Sequence, residues 1–326
     1  MTYKNKISVI TKSSPYSFPS SSGGTVYGTE ILTEQGDVFH YYGKEHLINS
    51  LGVGVEIEYD LLLEDGKKAK ASKLKIHKTE ALIPSLDSVD ITKILFIDIE
   101  TGRLKKDIKE GEPTYEAWEY KKRKDGEFTA EELKKSYKEK ASLYAEFSRV
   151  LCITAGVVKP DGSVSLKSYY SDSEAEMLSE FIQDMSKFKG SIPSLRLSGH
   201  AINGFDIPFI LRRLVVNRIR VPDFIDMTDK KPWELKDVSI DTAQLWKNTG
   251  FYGSSLTQLC LCLGIDSPKQ SIDGSMVSEE FFKNGFENIV LYCEQDVFAQ
   301  IKILQYLLNS EISSTFTSNY KKDVKN

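Results

Sequence analysis

The sequence has few cysteines, no long apolar run and no large excess of charge of either sign. Only four of its 326 residues are cysteine. Cys152 and Cys293 are isolated, and Cys260 and Cys262 lie one residue apart with no second pair to complete a zinc site. This scarcity argues against a zinc or redox centre. We therefore expect the four thiols to be buried and to pack as small apolar side chains.

No apolar stretch approaches the roughly 20 residues that span a bilayer, and the N-terminus lacks the apolar core of a signal peptide. These absences predict a cytoplasmic protein with no membrane partner. The formal net charge is −4, which does not indicate the basic surface typical of purely electrostatic binding to phosphates. It does not exclude proteins that hold phosphates through metal ions bound to acidic residues.

Residues 1–80 are predicted to form a small all-β domain. A short helix is expected at 44–49, and strands are expected at 7–10, 25–32, 38–42, 55–62 and 70–76. The order β-β-β-α-β-β is that of an OB-fold barrel. In the third strand, Phe39 and Tyr41 share one face. They either stack nucleic-acid bases, as aromatic residues do on OB-fold surfaces, or pack inside the barrel.

The rest of the sequence predicts an α/β domain over 94–312. A linker at 81–93 joins it to the all-β domain, and a polar tail at 313–326 follows it. Residues 94–99 form an apolar run typical of a strand buried on both faces. A charged helical insertion is expected at 103–145. Further strands are expected at 150–158, 163–170, 195–199 and 238–241. The expected architecture is a mixed five-stranded sheet, with one antiparallel pair, flanked by helices.

Three acidic clusters are candidates for chemistry. Asp98 and Glu100 lie two apart on the buried strand, so they share a face, where two carboxylates repel each other unless a cation lies between them. The alternative is that the strand ends at Asp98 and both acids are solvated. Asp206 begins a helix, a position that also suits a capping carboxylate. Tyr292 and Asp296 are four apart on a helix and share a face, as a surface pair also would.

In order and spacing, the clusters resemble the motifs of the DEDD superfamily of ribonuclease H-like exonucleases, in the subclass with a Tyr-x-x-x-Asp motif. The three motifs are matched in turn by Asp98 and Glu100, by Asn203, Phe205 and Asp206, and by Tyr292 and Asp296. The likeness runs from about residue 94 to 308. This region is similar to the proofreading domain of family-B DNA polymerases, including the stretches 147–154, 241–246, 255–259, 263–269 and 273–275. The insertion at 103–145 departs from that pattern.

The resemblance implies a ribonuclease H-like fold and a metal-dependent 3′→5′ exonuclease that shortens single-stranded DNA from its 3′ end. Two divalent cations, Mg²⁺ or Mn²⁺, would be held by Asp98, Glu100, Asp206 and Asp296, and Tyr292 would orient the attacking water. Contacts to the nucleic acid are expected from Thr101, Asn203, Phe205 and Arg212. Arg212 belongs to a basic run that a solvated helix face would explain equally well. Replication or repair proteins are the partners implied.

Two other functions stay open from the sequence. Exoribonucleases of the same superfamily share these motifs, so RNA is an alternative substrate. A non-enzymatic nucleic-acid-binding protein, with the barrel as its active part, is the second alternative. All five catalytic positions are filled, which favours an enzyme.

Overall fold

The computed structural model describes residues 1–21, 23–48, 51–63, 67–77, 80–231, 233–266, 273–310 and 312–319. Parts of the predicted helix 44–49, of the similar stretch 263–269 and of the tail 313–326 lie outside these ranges. The chain divides into two units. The first combines Met1–Thr92 with Val158–Ser165 and Leu304–Phe316, and the second contains the other residues. None of the described helices is long and apolar enough to cross a membrane.

The N-terminal strands close into a barrel, which confirms the predicted small all-β domain. The strands are β1 (Thr2–Pro19), β2 (Thr25–Thr33), β3 (Val38–Gly43), β4 (Glu56–Leu62) and β5 (Lys70–His77), with helix α1 (Glu45–Ile48) after β3. Their order around the barrel is β1-β2-β3-β5-β4. β1 pairs antiparallel with both β2 and β4, and its register shifts beyond Tyr3 and again beyond Ile10. Such irregularities bend a strand, and here they let one long strand close the barrel.

Phe39 and Tyr41 face the inside of this barrel, so the predicted base-stacking surface on these two residues is wrong. Phe39 is fully buried, and its ring lies 4.6 Å from that of Tyr59 between centroids. Tyr41 is half-buried and packs against the same core cluster. The alternation along β3 therefore places the other pair, His40 and Tyr42, on the outer surface.

A mixed sheet forms the second part of the fold, as predicted. Its strands are β6 (Ile94–Arg103), β7 (Ser148–Val158), β8 (Val164–Tyr170), β9 (Arg196–Gly199), β10 (Ser239–Asp241) and β11 (Phe316–Ser318). They lie in the order β10-β9-β6-β7-β8-β11. β10, β9 and β6 are parallel, and β7 is antiparallel to β6. The short strand β11 lies in the predicted polar tail and adds a sixth strand to the expected five.

The helices are α2 (Pro113–Lys122), α3 (Ala130–Lys140), α4 (Glu174–Ser191), α5 (Asp206–Val216), α6 (Thr242–Lys247), α7 (Leu256–Leu263), α8 (Val277–Asn284) and α9 (Glu287–Leu307). α4 and α5 cover one face of β6, where Ile97 and Ile99 join a buried cluster with Phe181 and Phe209. Successive side chains of a strand alternate between faces. Asp98 therefore projects from the opposite face of β6.

α9 covers that opposite face, and a glycine allows its close approach. A Cβ at Gly156 of β7 would lie only 2.7 Å from side-chain atoms of both Leu166 and Val297. Any larger residue at Gly156 would push α9 away from the sheet. The absence of a side chain at this position therefore brings the helix with Tyr292 and Asp296 down onto the strands.

The charged insertion folds around Trp118, which is fully buried between α2 and α3. Arg103 at the end of β6 is also buried; it donates to the carbonyl oxygen of Lys138 at 2.6 Å and contacts Glu279 at 2.5 Å. The insertion is therefore a packed helical pair with its own small core. Of the four cysteines, three are buried as expected, but Cys262 is exposed.

Candidate active site

Three carboxylates meet between β6 and α9. Side-chain oxygens of Asp98, Glu100 and Asp296 lie within 4.8 Å of one another. Glu100 and Asp296 are buried, and Asp98 is partly buried. The sequence interpretation in which Asp98 and Glu100 end a strand in solvent is wrong, because β6 continues to Arg103.

One face of α9 presents polar side chains at successive turns. Tyr292 hydrogen-bonds to the carboxylate of Asp296, four residues further along. One more turn along, Gln300 is fully buried, and its Nε2 donates to Oδ1 of Asp98 at 2.8 Å. The thiol of Cys293 lies 3.4 Å from the main-chain oxygen of Asp98. Gln300 was missed from the sequence, although the four-residue spacing from Tyr292 through Asp296 continues to it.

Asp206 reaches β6 from the loop that follows β9. A Cβ at Gly199 would lie 2.9 Å from the carbonyl oxygen of Ile97, so only glycine lets this loop pass so close to β6. Asp206 is buried at the start of α5, and its Oδ1 accepts a hydrogen bond from the main-chain N–H of Ile99 at 3.1 Å. Ile99 lies between the two acids of β6. Asp206 is thus beside the three converging carboxylates but does not belong to the group within 4.8 Å.

The carboxylates raise one another's pKa values. Burial, followed by the charges of Asp296 and Asp206, raises the pKa of Asp98 well above its usual range. Burial, and then the charge of Asp98, does the same for the pKa of Glu100. Burial raises the pKa of Asp206 to about 7. Among the described residues, no lysine or arginine forms a salt bridge with Asp98, Glu100 or Asp206. A cation from outside the chain would therefore favour the ionised form of this group.

The donor set fits a hard divalent cation. Carboxylate oxygens are the preferred protein ligands of Mg²⁺ and Mn²⁺, and the group contains no thiolate or imidazole among its converging atoms. A bound dication also lowers the pKa of its ligands, which removes the cost of ionising them in a buried site. The cluster could hold a metal on chemical grounds.

Tyr292 remains protonated in this environment. Burial, followed by the charges of Asp296 and Glu100, raises the pKa of its phenol. The hydroxyl is therefore a hydrogen-bond donor at neutral pH and does not ionise to act as a base. This matches the orienting role that the sequence resemblance implies.

The predicted substrate contacts Asn203 and Phe205 lie in the loop that leads into Asp206. Both are half-buried. The Asn203 side-chain oxygen accepts from the hydroxyl of Ser239 at 2.7 Å, and the Phe205 ring lies 5.5 Å from that of Phe209. These contacts hold the two side chains in place while leaving part of each exposed.

The other predicted contacts differ in availability. Thr101 is buried, and its hydroxyl donates to the carbonyl oxygen of Ser142 at 2.8 Å, so it is engaged within the fold. Arg212 is exposed on α5. Its neighbour Arg213 is buried and paired with Glu174 at 2.6 Å, which removes Arg213 from the predicted basic run. A contact role for Thr101 or Arg212 stays a prediction.

Asp241 and His200 support the loop that leads into Asp206. The carboxylate of Asp241 accepts from the main-chain N–H groups of Ala201 and Asn203, at 3.0 and 3.2 Å, and it also caps α6. The ring nitrogens of His200 lie 3.1 Å from the hydroxyl of Thr242 and 2.8 Å from the main-chain oxygen of Ser254. Burial lowers the pKa of His200. Neither residue is among the converging metal-ligand atoms.

Comparison with known proteins gives matches both to a family and to solved structures. The family B DNA polymerase from the hyperthermophilic archaeon Pyrobaculum calidifontis is similar in structure, with a TM-score of 0.45 and 11% sequence identity. The match covers 92% of this chain and 46% of the polymerase, so the chain spans about half the polymerase's length. A search of curated proteins gives no match.

A family model described as "Predicted 3'-5' exonuclease related to the exonuclease domain of PolB" matches residues 141–325. The match covers more than half of the chain. It begins after β6, so Asp98 and Glu100 lie outside it, whereas Asp206, Tyr292 and Asp296 lie within it. It agrees with the likeness that the three motifs indicated. The chain belongs to this family of predicted 3′–5′ exonucleases related to the exonuclease domain of PolB.

Proposed function

We propose that the chain is a divalent-metal-dependent 3′→5′ exonuclease that removes nucleotides from the 3′ ends of single-stranded DNA. The observation that carries the proposal is the meeting of Asp98, Glu100 and Asp296 within 4.8 Å, from elements far apart in sequence. Folding has brought like charges together in a buried place, which is costly unless they bind a cation. Membership of a family of predicted exonucleases supports the same conclusion.

Each residue of the site has a proposed role. Asp98, Glu100 and Asp296 would hold a divalent cation, and Asp206 beside them would complete the site for a second. When bound, such cations supply a water of lowered pKa and stabilise the charge that develops on the phosphate and the leaving oxygen. Tyr292 would orient the attacking water through its hydroxyl, whose one proton is donated to Asp296 when no cation is bound.

The substrate end is proposed to lie beside the loop that carries Asp206. Asn203 and Phe205 are partly exposed there and fixed by contacts within the fold. An aromatic ring and an amide suit a terminal nucleotide, which offers a base to stack on and hydrogen-bonding edges. We further propose that the enzyme acts during replication or repair, as the resemblance to a proofreading domain implies.

End-labelled oligonucleotides test this function. Single- and double-stranded DNA and RNA of the same sequence are incubated with Mg²⁺, Mn²⁺ or EDTA, and products are resolved by length. We expect stepwise shortening of single-stranded DNA from the 3′ end with either metal and none in EDTA. Faster degradation of RNA would instead identify an exoribonuclease. Absence of hydrolysis with both metals would favour a non-enzymatic binding protein.

Replacing Asp98 with alanine tests the proposed metal site. The change removes one of the three converging carboxylates. Metal ions contribute several kcal/mol to catalysis of this kind, so we expect a loss of about 1,000-fold in the rate with Mg²⁺. Asp266→Ala is the matched control, because that side chain is 97% exposed and lies outside the converging carboxylates. Circular dichroism should show both variants folded. Near-full activity of Asp98→Ala would remove Asp98 from the mechanism.

A further inference from the structure

The outer surface of the barrel carries a cluster of three aromatic side chains, Tyr16 and Phe18 on β1 and Tyr42 on β3. Their ring centroids lie 6.3 Å apart for Tyr16–Phe18, 6.1 Å for Tyr16–Tyr42 and 6.4 Å for Phe18–Tyr42. Phe18 is 44% exposed and Tyr42 is 43% exposed. The barrel interior is already filled by side chains from the opposite faces of the strands. Packing within the barrel therefore does not explain why these large apolar surfaces cluster in solvent.

A glycine shapes this surface. In the register of the three neighbouring strands, Gly28 of β2 pairs with Tyr16 on one side and with Tyr42 on the other. A Cβ at Gly28 would lie 2.8 Å from the Tyr16 ring, so the ring lies directly over the glycine. Gly28 has an ordinary backbone conformation, since it is not among the glycines with positive φ. The space above its backbone, rather than a turn, therefore explains the need for glycine here.

Hydrogen bonds fix the orientation of the Tyr16 ring. Its hydroxyl lies 2.9 Å from Nδ1 of His40, and Nε2 of His40 lies 3.2 Å from a carboxylate oxygen of Glu30. Tyr16, Glu30 and His40 lie on the neighbouring strands β1, β2 and β3, and their side chains share the outer face of the barrel. A ring held in this way can receive a planar ligand with little further loss of conformational entropy.

Lysines border the aromatic cluster. A cleft of about 420 Å³ lies beside Tyr16, His40 and Tyr42, and Lys68 lines it. Lys70 is the register partner of His40, and Lys12 is on β1 before Tyr16; both lysines are exposed. Among the described residues, Glu30 is the one acid lining the cleft, and it is paired with His40. The surface therefore combines aromatic faces with positive charge, which complements a chain of bases and phosphates and not a neutral sugar.

We propose that this surface, formed by Tyr16, Phe18 and Tyr42 and bordered by Lys12, Lys68 and Lys70, binds single-stranded nucleic acid. Bases stack on the exposed rings, and the lysines contact the phosphates. Barrels of this type use the outer face of the central strands for such ligands. The site goes beyond the proposed exonuclease function, because it binds nucleic acid without any part in hydrolysis and needs no metal.

Binding of a fluorescent oligodeoxythymidine of about 20 nucleotides, a length that exceeds the site of one OB-type barrel, tests the proposal. Fluorescence anisotropy of the full chain in EDTA measures the Kd without cleavage. We expect the double variant Phe18→Ala/Tyr42→Ala to raise the Kd at least tenfold, since stacking on each ring contributes substantially. Phe18→Tyr/Tyr42→Phe keeps both rings and should bind like the wild type. Tyr3→Ala is the matched control, because Tyr3 is also on β1 and 44% exposed but outside the cluster.

The outcomes separate this proposal from the exonuclease function. Asp98→Ala should keep full binding in EDTA, whereas the aromatic double variant should still shorten a trinucleotide with Mg²⁺ at the wild-type rate. Circular dichroism should show that the barrel of the variant is folded. Equal Kd values for the double variant and the wild type would overturn the proposal and leave the exonuclease function standing. Equal affinity of the wild type for single- and double-stranded DNA would also overturn it, because duplex bases cannot stack on protein rings.

Discussion

Tyr292 differs from the acidic residues around it, because its contribution to catalysis does not depend on holding a cation. Its phenol is protonated, since burial and the neighbouring carboxylates raise its pKa, and it hydrogen-bonds to Asp296. The proposed role requires only that a hydroxyl be directed toward the attacking water. Removing that hydroxyl should therefore be much less damaging than removing a carboxylate.

We expect Tyr292→Phe to lower the rate of hydrolysis about fivefold, because one hydrogen bond of neutral partners contributes roughly 1 kcal/mol. The concentration of Mg²⁺ that gives half-maximal activity should not change. Rates measured across a Mg²⁺ titration separate the two effects. A loss as large as that of Asp98→Ala, or a strongly shifted metal requirement, would show that Tyr292 does more than orient a water.

Several residues could be predicted from the sequence because their spacing has a geometric meaning. Asp98 and Glu100 share a face of a strand, and Tyr292 and Asp296 share a face of a helix. Phe39 and Tyr41 also share a face, but alternation does not reveal which face of a strand is internal. Both faces of β3 carry aromatic residues, so the choice depended on how the barrel closes.

At the scale of the element, one face of α9 carries a polar side chain at each of three successive turns. Tyr292, Asp296 and Gln300 follow one another at intervals of four residues, and Gln300 donates to Asp98 at 2.8 Å. This contact joins the helix to the strand that it covers. Gln300 thus positions a proposed metal ligand without being one itself.

We expect Gln300→Leu to raise the Mg²⁺ concentration needed for half-maximal activity about tenfold, in line with the loss of other groups that orient metal ligands. Gln305→Leu is the matched control, since it is a buried glutamine of the same helix whose amide contacts Ser313 instead. Equilibrium binding of Mn²⁺ gives an independent measurement. The same Mg²⁺ requirement in both variants would exclude a positioning role for Gln300.

Strand β1 shows why element boundaries could not be read from the sequence. The sequence predicted a strand at 7–10, whereas β1 runs from Thr2 to Pro19. Its second half contains several serines and two prolines, which are typical of loops. Long pairing with β2 overrides that local preference. The aromatic cluster was missed for the same reason, because Tyr16 and Phe18 lie in this half.

At the scale of the whole molecule, motif order proved more informative than composition. A net charge of −4 gave no indication of a nucleic-acid enzyme. The pattern of strands and helices predicted the mixed sheet, and the order of the three acidic motifs predicted the family, because each motif lies on a different element of one fold. β11 could not be predicted, since three residues, Phe316–Ser318, are too few to show a periodic pattern.

The raised pKa values of the buried carboxylates predict how the stability of the metal-free protein changes with pH. Asp206 has an ordinary pKa of 3.8 and a pKa of about 7 in the folded chain. Between these values the folded state binds more protons than the unfolded chain, so the free energy of unfolding falls as pH rises. The contribution of Asp206 to the free energy of unfolding is fully present below about pH 4 and is lost as pH rises to about 7. Asp98 and Glu100, whose pKa values are also raised, act in the same direction.

Thermal unfolding in EDTA between pH 5 and pH 7 tests this dependence. We expect the Tm of the wild type to fall across this range and that of Asp206→Asn to fall less steeply, because the amide has no proton to lose. The free energies of unfolding of the two proteins should differ in slope by no more than about 1.4 kcal/mol per pH unit, which is the limit for one titrating group. Adding Mg²⁺ should raise the Tm more at pH 7 than at pH 5, because a cation binds the ionised carboxylates of the folded state. Parallel profiles for the two proteins, together with a Mg²⁺ effect independent of pH, would contradict a buried acidic cluster that a metal completes.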